Sequence, residues 1–529
     1  MILTIKLKDD IRVNSNSAGL FTLGDDYFQA VNSISGVFNN FNDTGFSAFA
    51  NEIFNTFTPI RAFNSYHLAD SIQIADTLIE QDKLSKYYTS SSPSTFDSPI
   101  EAPENLLNYF GFGIVNYPSE SQFSVLETLK TNNTIDFYWI ENKTESFKEI
   151  INLPNSKYSD TPKFQALVFQ KNVVINELEI DLNLSEFNNR GKGATLIIFE
   201  QDATNDLAKI KKSSDYLNQS NKKSILASIV GKPVDDSAIN HQINTLATIF
   251  SKPPLIPTDS TFSINGIAPE TQIVIASVNP VAPPISYMEI VRQRLWDIEK
   301  LKLKNAILLF EFETDVFKEK SEFSIGTYPI SIYPDITNFL TYQSNQNNLI
   351  SLTGSGDSGI NFEKVINAPW VDNKLKYNDL TKNIPSILTV GATKKDLENK
   401  FIATTSTDGE NQNTANTNNI SKNLDVYMYR DFSVVGVNNT KVDFGGTSSS
   451  VAVVAGIIAF LQGKVLLKNT ELKQLSQNTI PITTNLLKQV FKNTFMKKTV
   501  FPNNVLTQTT LAQLWEECQR LVKVKSQTV

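Results

Sequence analysis

The amino-acid sequence predicts an α/β fold in which a mostly parallel sheet carries helices on both faces, with a small α+β unit at the N-terminus. From about residue 185 onward, strand-like and helix-like segments alternate, which is typical of a parallel sheet covered by helices. Residues 446–456 form a small-residue turn that leads into a strongly apolar helix. The alternation of Leu3, Ile5 and Leu7 indicates a strand in the N-terminal unit.

Six segments of the main domain have the pattern of strands. They are 194–199, 272–278, 305–312, 349–353, 386–390 and 424–428. The segment 287–302 lies between two of them and has helical periodicity, with its apolar residues on one face. These are Met288, Val291, Leu295 and Ile298. Residues 410–423 are rich in Asn, Thr and Gln without apolar periodicity, which predicts an exposed loop.

The chain divides into four predicted parts. Residues 1–90 form the N-terminal unit, with a helix around residues 74–84, and residues 91–184 are a linker and accessory segment that begins with a Ser/Pro-rich stretch. Residues 185–482 form the main domain, and 483–529 form a C-terminal helical extension. The last helix of this extension has one apolar face, which packs either on the main domain or on another subunit. That face comprises Leu511, Leu514, Trp515, Cys518 and Leu521.

Composition excludes several classes of function. The 529 residues include 48 basic and 55 acidic side chains, a net charge of −7 without a basic run, which argues against a nucleic-acid partner. A single cysteine excludes an internal disulfide and CxxC metal sites, and two histidines argue against a histidine-based zinc site. We therefore expect no metal and no cofactor.

No feature of the sequence predicts export or membrane insertion. The N-terminus lacks the long apolar core and the cleavage site of a secretory signal. The most apolar run, Val451 to Leu461, is eleven residues long and too short to span a bilayer. These observations predict a cytoplasmic protein that does not contact a membrane.

The turn before the apolar helix carries a candidate nucleophile. Residues 446–456 read Gly-Thr-Ser-Ser-Ser-Val-Ala-Val-Val-Ala-Gly, which brings Ser448 to the first turn of the helix. Backbone amides without helical partners and the positive end of the helix dipole would favour negative charge on a carbonyl under attack there. An ordinary helix whose N-cap is serine is the alternative reading of this segment.

This segment resembles the nucleophile motif of subtilases, Gly-Thr-Ser-Met-Ala-x-Pro-His-Val-Ala-Gly, with Ser448 at the nucleophile. Ala452 and Val453 replace the usual Pro-His pair. The phrase Gly266-Ile267-Ala268-Pro269 before a predicted strand is similar to the Gly-Val-Ala-Pro that follows the base helix of the family. Residues 384–392 resemble a third subtilase phrase, and the matches fall in family order over about residues 188–480.

The resemblance also assigns the other members of a triad. His241 opens a segment before Gly266 and occupies the position of the base, while His67 has no such context. The run after Gly191-Lys192-Gly193 leads to Glu200, where the family has its catalytic aspartate and where active-site residues of parallel sheets gather. Asp202 is the alternative acid. A strand end that is merely capped by both acids is the structural alternative.

A fourth element resembles an oxyanion motif. Subtilases have Gly-Asn-x-Gly where this chain has Gly356-Asp357-Ser358-Gly359, so Asp357 takes the place of the oxyanion-binding asparagine. Sedolisins, acid-active peptidases of the same fold, read Gly-Asp-Ser-Gly there and Gly-Gly-Thr-Ser at the nucleophile, as residues 445–448 do. An ionised Asp357 cannot donate a hydrogen bond to an oxyanion.

The sequence therefore predicts a serine endopeptidase of the subtilase fold with a Ser448–His241–Glu200 triad and a peptide or protein substrate. Residues 309–313 are bulky and acidic where the family has Ser-Leu-Gly, so the cleft is either narrowed or selective for basic peptides. The resemblance admits a bound calcium ion and a propeptide role for residues 1–90, which no motif here indicates. The rival prediction is an impaired subtilase-fold protein that binds a partner without cleaving it, and a peptide ligase or cyclase is a third.

Overall fold

A computed structural model describes the residues from which the fold follows. These are 2–7, 13–15, 21–23, 72–75, 112–115, 133, 135–141, 190–200, 223–226, 236–250, 266–278, 288, 291–292, 294–295, 298, 303–317, 324–364, 376–395, 401–403, 419, 421, 423–429, 432–435, 441–474, 482–494 and 511–527.

The strands and helices are numbered in chain order. The strands are β1 (Ile2–Leu7), β2 (Val13–Ser15), β3 (Phe21–Leu23), β4 (Ile72–Ala75), β5 (Phe112–Val115), β6 (Ile135–Glu141), β7 (Thr195–Glu200), β8 (Lys223–Leu226), β9 (Gln272–Ser277), β10 (Ala306–Phe310), β11 (Glu313–Phe317), β12 (Ser324–Pro329), β13 (Ile350–Gly354), β14 (Ile387–Lys395), β15 (Phe401–Ala403), β16 (Val426–Tyr429), β17 (Phe432–Val435) and β18 (Lys441–Phe444). The α-helices are α1 (Asp236–Phe250), α2 (Pro334–Asn347), α3 (Gly446–Gln474), α4 (Thr484–Thr494) and α5 (Leu511–Gln527).

The main sheet is mostly parallel, as predicted. Its strand order is β15-β14-β13-β10-β7-β9-β8-β4, and β16 also pairs with β14. The pairs from β8 through β14, and the β14–β16 pair, are parallel, whereas β15 and β4 are antiparallel at the edges. Strands such as β7 and β10 are apolar almost throughout because helices cover both of their faces.

Helices lie on the two faces of this sheet. One face carries α1, α3, α4 and α5 in a single hydrophobic core, which contains Leu196, Ile198 and Leu309 from the strands. The intervening side chains Ile197 and Leu308 are buried outside this core, because successive strand residues point to opposite faces. On that second face α2 packs against β13 and β14. The helix predicted at 287–302 is present at its four apolar residues. All of them are helical and buried, and none belongs to this core: Met288, Val291, Leu295 and Ile298.

Residues 451–461 of the central helix α3 are apolar on all sides because they are buried on all sides. Its segment Gly446–Lys468 has a mean hydropathy of 2.0, so it is long and apolar enough to cross a membrane. The predicted run of eleven residues thus underestimates the helix. However, 83% of that segment is buried inside the protein, as in the core helix of an α/β domain.

Strand pairing crosses the predicted boundary at residue 90. Strand β1, which confirms the alternation of Leu3, Ile5 and Leu7, lies between β5 and β6 in a three-stranded antiparallel sheet. Both partners belong to the predicted accessory segment 91–184. Strand β4 pairs with β8 of the main sheet and takes up the start of the helix predicted around 74–84, whose remainder lies outside the described residues. Two of the described strands of residues 1–90 therefore pair with strands beyond residue 90.

Two further expectations concern the helices after residue 482 and one loop. Leu487 of α4 and both Leu514 and Cys518 of α5 belong to the main core, with Trp515 and Leu521 packed against it. The predicted extension is helical where it is described, and the apolar face of its last helix packs on the main domain, which is one of the two alternatives that the sequence left open. The loop predicted as exposed at 410–423 is buried at Asn419 and Ser421, and its other described residue is Asn423.

Candidate active site

The predicted acid and the predicted nucleophile lie on two elements that meet at the carboxyl end of the sheet. Glu200 is the last residue of β7, and its side chain points to the same face as Ile198, towards α1 and α3. Ser448 lies in the first turn of α3, which begins at Gly446 with a φ of 73°. Glycine adopts this left-handed conformation at little cost, so the chain can turn sharply from β18 into the helix.

The base lies between them on α1. His241 is in the second turn of this helix, on the face that α1 packs against α3. Its ring meets the ring of Phe444 edge-on, with the centroids 5.7 Å apart and an interplanar angle of 84°. Phe444 ends the β17–β18 hairpin. The imidazole is thus held by packing as well as by hydrogen bonds.

The three predicted side chains form one hydrogen-bonded chain. Nδ1 of His241 lies 2.7 Å from Oε1 of Glu200, and Nε2 lies 2.9 Å from Oγ of Ser448. A carboxylate can only accept, so Nδ1 carries the proton and Nε2 is free to accept the hydroxyl proton of Ser448. Glu200, His241 and Ser448 are 1%, 2% and 0% exposed. The structure therefore brings together residues 200, 241 and 448.

The neighbouring serines are engaged elsewhere. Ser449 Oγ donates to the carbonyl of Gly446 at 2.9 Å, and Ser450 Oγ donates to the carbonyl of Met428 at 3.0 Å. Both hydroxyls are buried and bonded to the backbone. Of the three serines that begin α3, Ser448 is the one whose hydroxyl is bonded to an imidazole.

Asp357 lies beside the site and is bonded to the backbone before the nucleophile. The amide of Thr447 donates to its two carboxylate oxygens at 3.1 and 3.3 Å. An acidic side chain is favoured there because the first amides of a helix lack intrahelical partners and the dipole is positive. Its own amide donates to Oε2 of Glu313 at 2.7 Å. A role for Asp357 at an oxyanion stays a prediction.

The Asp357–Glu313 pair affects the protonation of Glu313. Burial, together with the charge of Asp357, raises the pKa of Glu313 to about 8. The two carboxyl groups therefore avoid carrying two charges near neutral pH.

A second buried carboxyl group, which the triad analysis missed, lies at the same end of the sheet. Glu311 follows β10 and is 1% exposed. Burial raises its pKa to about 8, and ionised Glu200 adds to this, whereas His241 and the hydroxyls of Ser448 and Thr245 oppose it. The signal was in the sequence, because Glu311 ends an apolar strand as Glu200 does. It faces the triad.

The alternative acid and the second histidine do not bear on the assignment of the triad. Asp202 and His67 lie outside the described residues. Within the described ranges, no group of three or more His, Cys, Asp or Glu side chains could hold a metal ion.

The segment around Gly266 supports the position of the nucleophile helix. A Cβ atom on Gly456 of α3 would lie 2.8 Å from Cβ of Ile267, closer than carbon atoms pack. The amides of Ile267 and Ala268 donate to the carbonyls of Thr248 and Ile249 at the end of α1. One short segment therefore contacts both the base helix and the nucleophile helix.

Several solved structures are similar to this chain. The prenylagaramide maturation protease PagA is 13% identical over 63% of this chain and 96% of its own length, with a TM-score of 0.38. A structure of the subtilase cytotoxin SubAB is 12% identical over 66% of this chain and 98% of its own, with a TM-score of 0.43. Fervidolysin from Fervidobacterium pennivorans, a keratinolytic enzyme related to subtilisin, is 10% identical over 75% of this chain and 54% of its own length, with a TM-score of 0.40.

These similarities are remote. The matched structures include members of the superfamily that the sequence resembles, but identities and TM-scores this low support no conclusion about activity. No family model matches the sequence. No curated protein matches it either.

Proposed function

We propose that this chain is a serine endopeptidase of the subtilase fold, in which Ser448 attacks the substrate carbonyl, His241 carries the proton and Glu200 orients His241. The observation that supports this proposal is the unbroken hydrogen-bond chain from Glu200 through both ring nitrogens to Ser448 Oγ. A serine hydroxyl is a weak nucleophile without such a base. The same geometry serves peptide hydrolysis on unrelated folds.

The proton path follows from the tautomer. As Ser448 Oγ bonds to the carbonyl carbon, its proton moves to Nε2 of His241, and the imidazolium then donates that proton to the leaving amine. Glu200 accepts from Nδ1 throughout and stabilises the imidazolium through its buried charge. Water, deprotonated by the same imidazole, hydrolyses the acyl-enzyme. The negative oxygen would face the first turn of α3.

Access to the site is a condition of this function. Ser448 is 0% exposed and His241 is 2% exposed, so a peptide can reach them only after covering residues move. Phe444 at the end of the β17–β18 hairpin is among the residues that contact the imidazole. A closed resting state of this kind predicts slow turnover, because opening precedes chemistry.

The second candidate is a protein that binds a partner without cleaving it. The burial of Ser448 favours it, as does the bond from the Thr447 amide to the Asp357 carboxylate, because the charge of that carboxylate would oppose an oxyanion nearby.

A covalent fluorophosphonate probe separates the two candidates. We expect labelling of the wild type and none of Ser448→Ala, measured by intact mass. Ser449→Ala is the matched control, since its hydroxyl donates to the Gly446 carbonyl, and it should label like the wild type. An absence of wild-type labelling between pH 4 and 9 would contradict the peptidase and favour the binding protein. With a defined peptide, hydrolysis adds one water to the products, whereas ligation does not.

A further inference from the structure

Glu311 occupies the position on β10 that corresponds to Glu200 on β7. Phe310 pairs with Phe199 in the parallel register, and the amide of Glu311 donates to the carbonyl of Phe199 at 3.2 Å. Leu309 and Ile198 lie in the same core, so the residues two positions after them, Glu311 and Glu200, point to that same face. Neighbouring strands are about 4.8 Å apart. Two carboxyl groups therefore lie side by side beneath α1 and α3.

The surroundings of Glu311 contain one triad hydroxyl and few hydrogen-bond donors. Within the described part of the chain, the titratable groups that face it are Glu200 on β7 and His241 on α1, and the polar groups are the hydroxyls of Thr245 and Ser448. These hydroxyls lie beside the carboxyl group, but neither carboxylate oxygen of Glu311 has a well-aligned donor among the described residues. A buried carboxylate without donors is costly, so Glu311 is neutral when Glu200 is ionised.

We propose that the protonation of Glu311 controls the hydrogen bond of the nucleophile. The neutral acid leaves Ser448 bonded to His241, whereas the carboxylate accepts a hydrogen bond from the Ser448 hydroxyl and so inactivates the triad. We call this control the gate. This inference rests on the proposed function and extends it to a fourth side chain. Glu311 is a positioning residue, since it acts through the hydroxyl of Ser448.

The gate works by competition for one proton. Neutral Glu311 loses its proton to solvent or buffer as pH rises, and the carboxylate becomes a stronger acceptor than the imidazole nitrogen. The Ser448 O–H can then rotate from Nε2 of His241 to Glu311 without breaking a covalent bond. In that state the serine proton no longer lies on the path to His241, and the second negative charge opposes an oxyanion.

The rate of active-site labelling as a function of pH tests the gate. If only the neutral form of Glu311 is active and its pKa is about 8, wild-type labelling falls roughly thirtyfold between pH 7 and pH 9.5. In Glu311→Gln, which cannot ionise, this alkaline loss should shrink to less than about twofold, while the acid limb set by His241 remains. Glu517→Gln, on the surface of α5 and paired with Arg520, is the matched control and should keep the wild-type profile.

Two outcomes of this experiment would overturn the gate. One is labelling that rises with pH through the same range in the wild type and is lost in Glu311→Gln, which would make Glu311 a base. The other is an alkaline loss that persists in Glu311→Gln. Glu311→Met, which has a similar volume and no hydrogen-bonding group, is the second variant in case the glutamine does not fold.

A readout that needs no catalysis separates this inference from the proposed function. The chain has two histidines, so a His67→Gln background leaves His241 as the sole imidazole for ¹⁵N-histidine NMR. We expect the ring nitrogens to show a second inflection near pH 8, the pKa of Glu311, which Glu311→Gln abolishes. Superimposed titration curves for the two proteins would overturn the gate. If the inflection is present but no probe labels Ser448, the peptidase proposal fails and the coupling of Glu311 to His241 stands.

Discussion

At the scale of single residues, the site depends on which hydrogen-bond partner each side chain has. Glu200 accepts from the Nδ1–H of His241 at 2.7 Å, and this bond fixes the tautomer that frees Nε2. A glutamate thus accepts this hydrogen bond at the position where the resemblance implied an aspartate, because β7 presents its carboxylate directly beneath α1. From the last residue of β7, the glutamate side chain is long enough to bring Oε1 of Glu200 within hydrogen-bond distance of His241.

Glu200→Gln tests this assignment. An amide can donate to Nδ1, which would move the ring proton to Nε2 and remove the acceptor for Ser448. Loss of the orienting acid in a serine triad costs about 10⁴-fold in rate, so we expect labelling to fall by that order. Glu200→Asp should lose less, because the charge remains although the carboxylate retracts by one methylene. Labelling kinetics at pH 7 measure both.

The control for this substitution is Glu363→Gln, since Glu363 is an exposed acid that accepts from Ser421 away from the triad. Wild-type kinetics in Glu200→Gln would show that the acid is elsewhere. Asp202→Asn would then be the next variant, because Asp202 is the alternative that the sequence offers.

At the scale of elements, what the sequence predicted well were strands and helices with a strong apolar pattern. The strand predicted at 194–199 is β7, shifted by one residue, and that at 349–353 is β13 with the same shift. Strand β8 (Lys223–Leu226) was missed because its four residues are too few for an alternating pattern to be distinct. The burial of Asn419 in the loop predicted as exposed had no signal in the local sequence. Its side-chain amide donates to the carbonyls of Thr327 and Ser355, and both residues are distant in sequence.

The candidate site was predictable for similar reasons and to a similar extent. Ser448 and Glu200 stand at the ends of patterned elements, and the resemblance to subtilase motifs in family order assigned both of them and His241. Glu311 required the parallel register of β7 and β10, which pairs Phe310 with Phe199. Register between strands more than a hundred residues apart is a tertiary property that local patterns do not encode.

The packing of α3 against Ile267 at Gly456 leads to a prediction about the stability and position of this helix. In a helix interior alanine is favoured over glycine by about 0.8–1 kcal/mol, but the new Cβ would lie 2.8 Å from Cβ of Ile267, and overpacking costs about 1–3 kcal/mol. We expect the clash to prevail, so that Gly456→Ala lowers the free energy of unfolding in urea. Displacement of α3 should also reduce labelling of Ser448 by up to about 10²-fold, the effect of a 1 Å misplacement.

The control is a double-mutant cycle with Ile267→Gly, which removes all three side-chain atoms near that Cβ. The combined variant should regain part of the labelling that Gly456→Ala loses. Strict additivity of the two changes would mean that Gly456 does not act through Ile267.

At the scale of the whole molecule, the N-terminal sheet is joined to the α/β domain through β6. The rings of Trp139 and Tyr333 have centroids 6.5 Å apart, and the guanidinium of Arg292 lies 5.7 Å from the centre of the Trp139 ring. Nε of Arg292 donates to Oδ2 of Asp335 at 2.7 Å in α2. Trp139 is fully buried. These contacts tie β6, and through it β1, to the second face of the main sheet.

This connection predicts how the chain responds to cleavage near residue 95. A propeptide of residues 1–90 would leave after cleavage, whereas β1 is the middle strand between β5 and β6 and is bonded to both along its length. We therefore expect a protein with a protease site inserted in segment 90–103 to be cut without separating, so that both fragments elute together in size-exclusion chromatography. They should separate in guanidinium chloride, which disrupts the strand pairing. Separation in native buffer would support the predicted domain boundary at residue 90. An increase in probe labelling after that separation would identify residues 1–90 as an inhibitory segment.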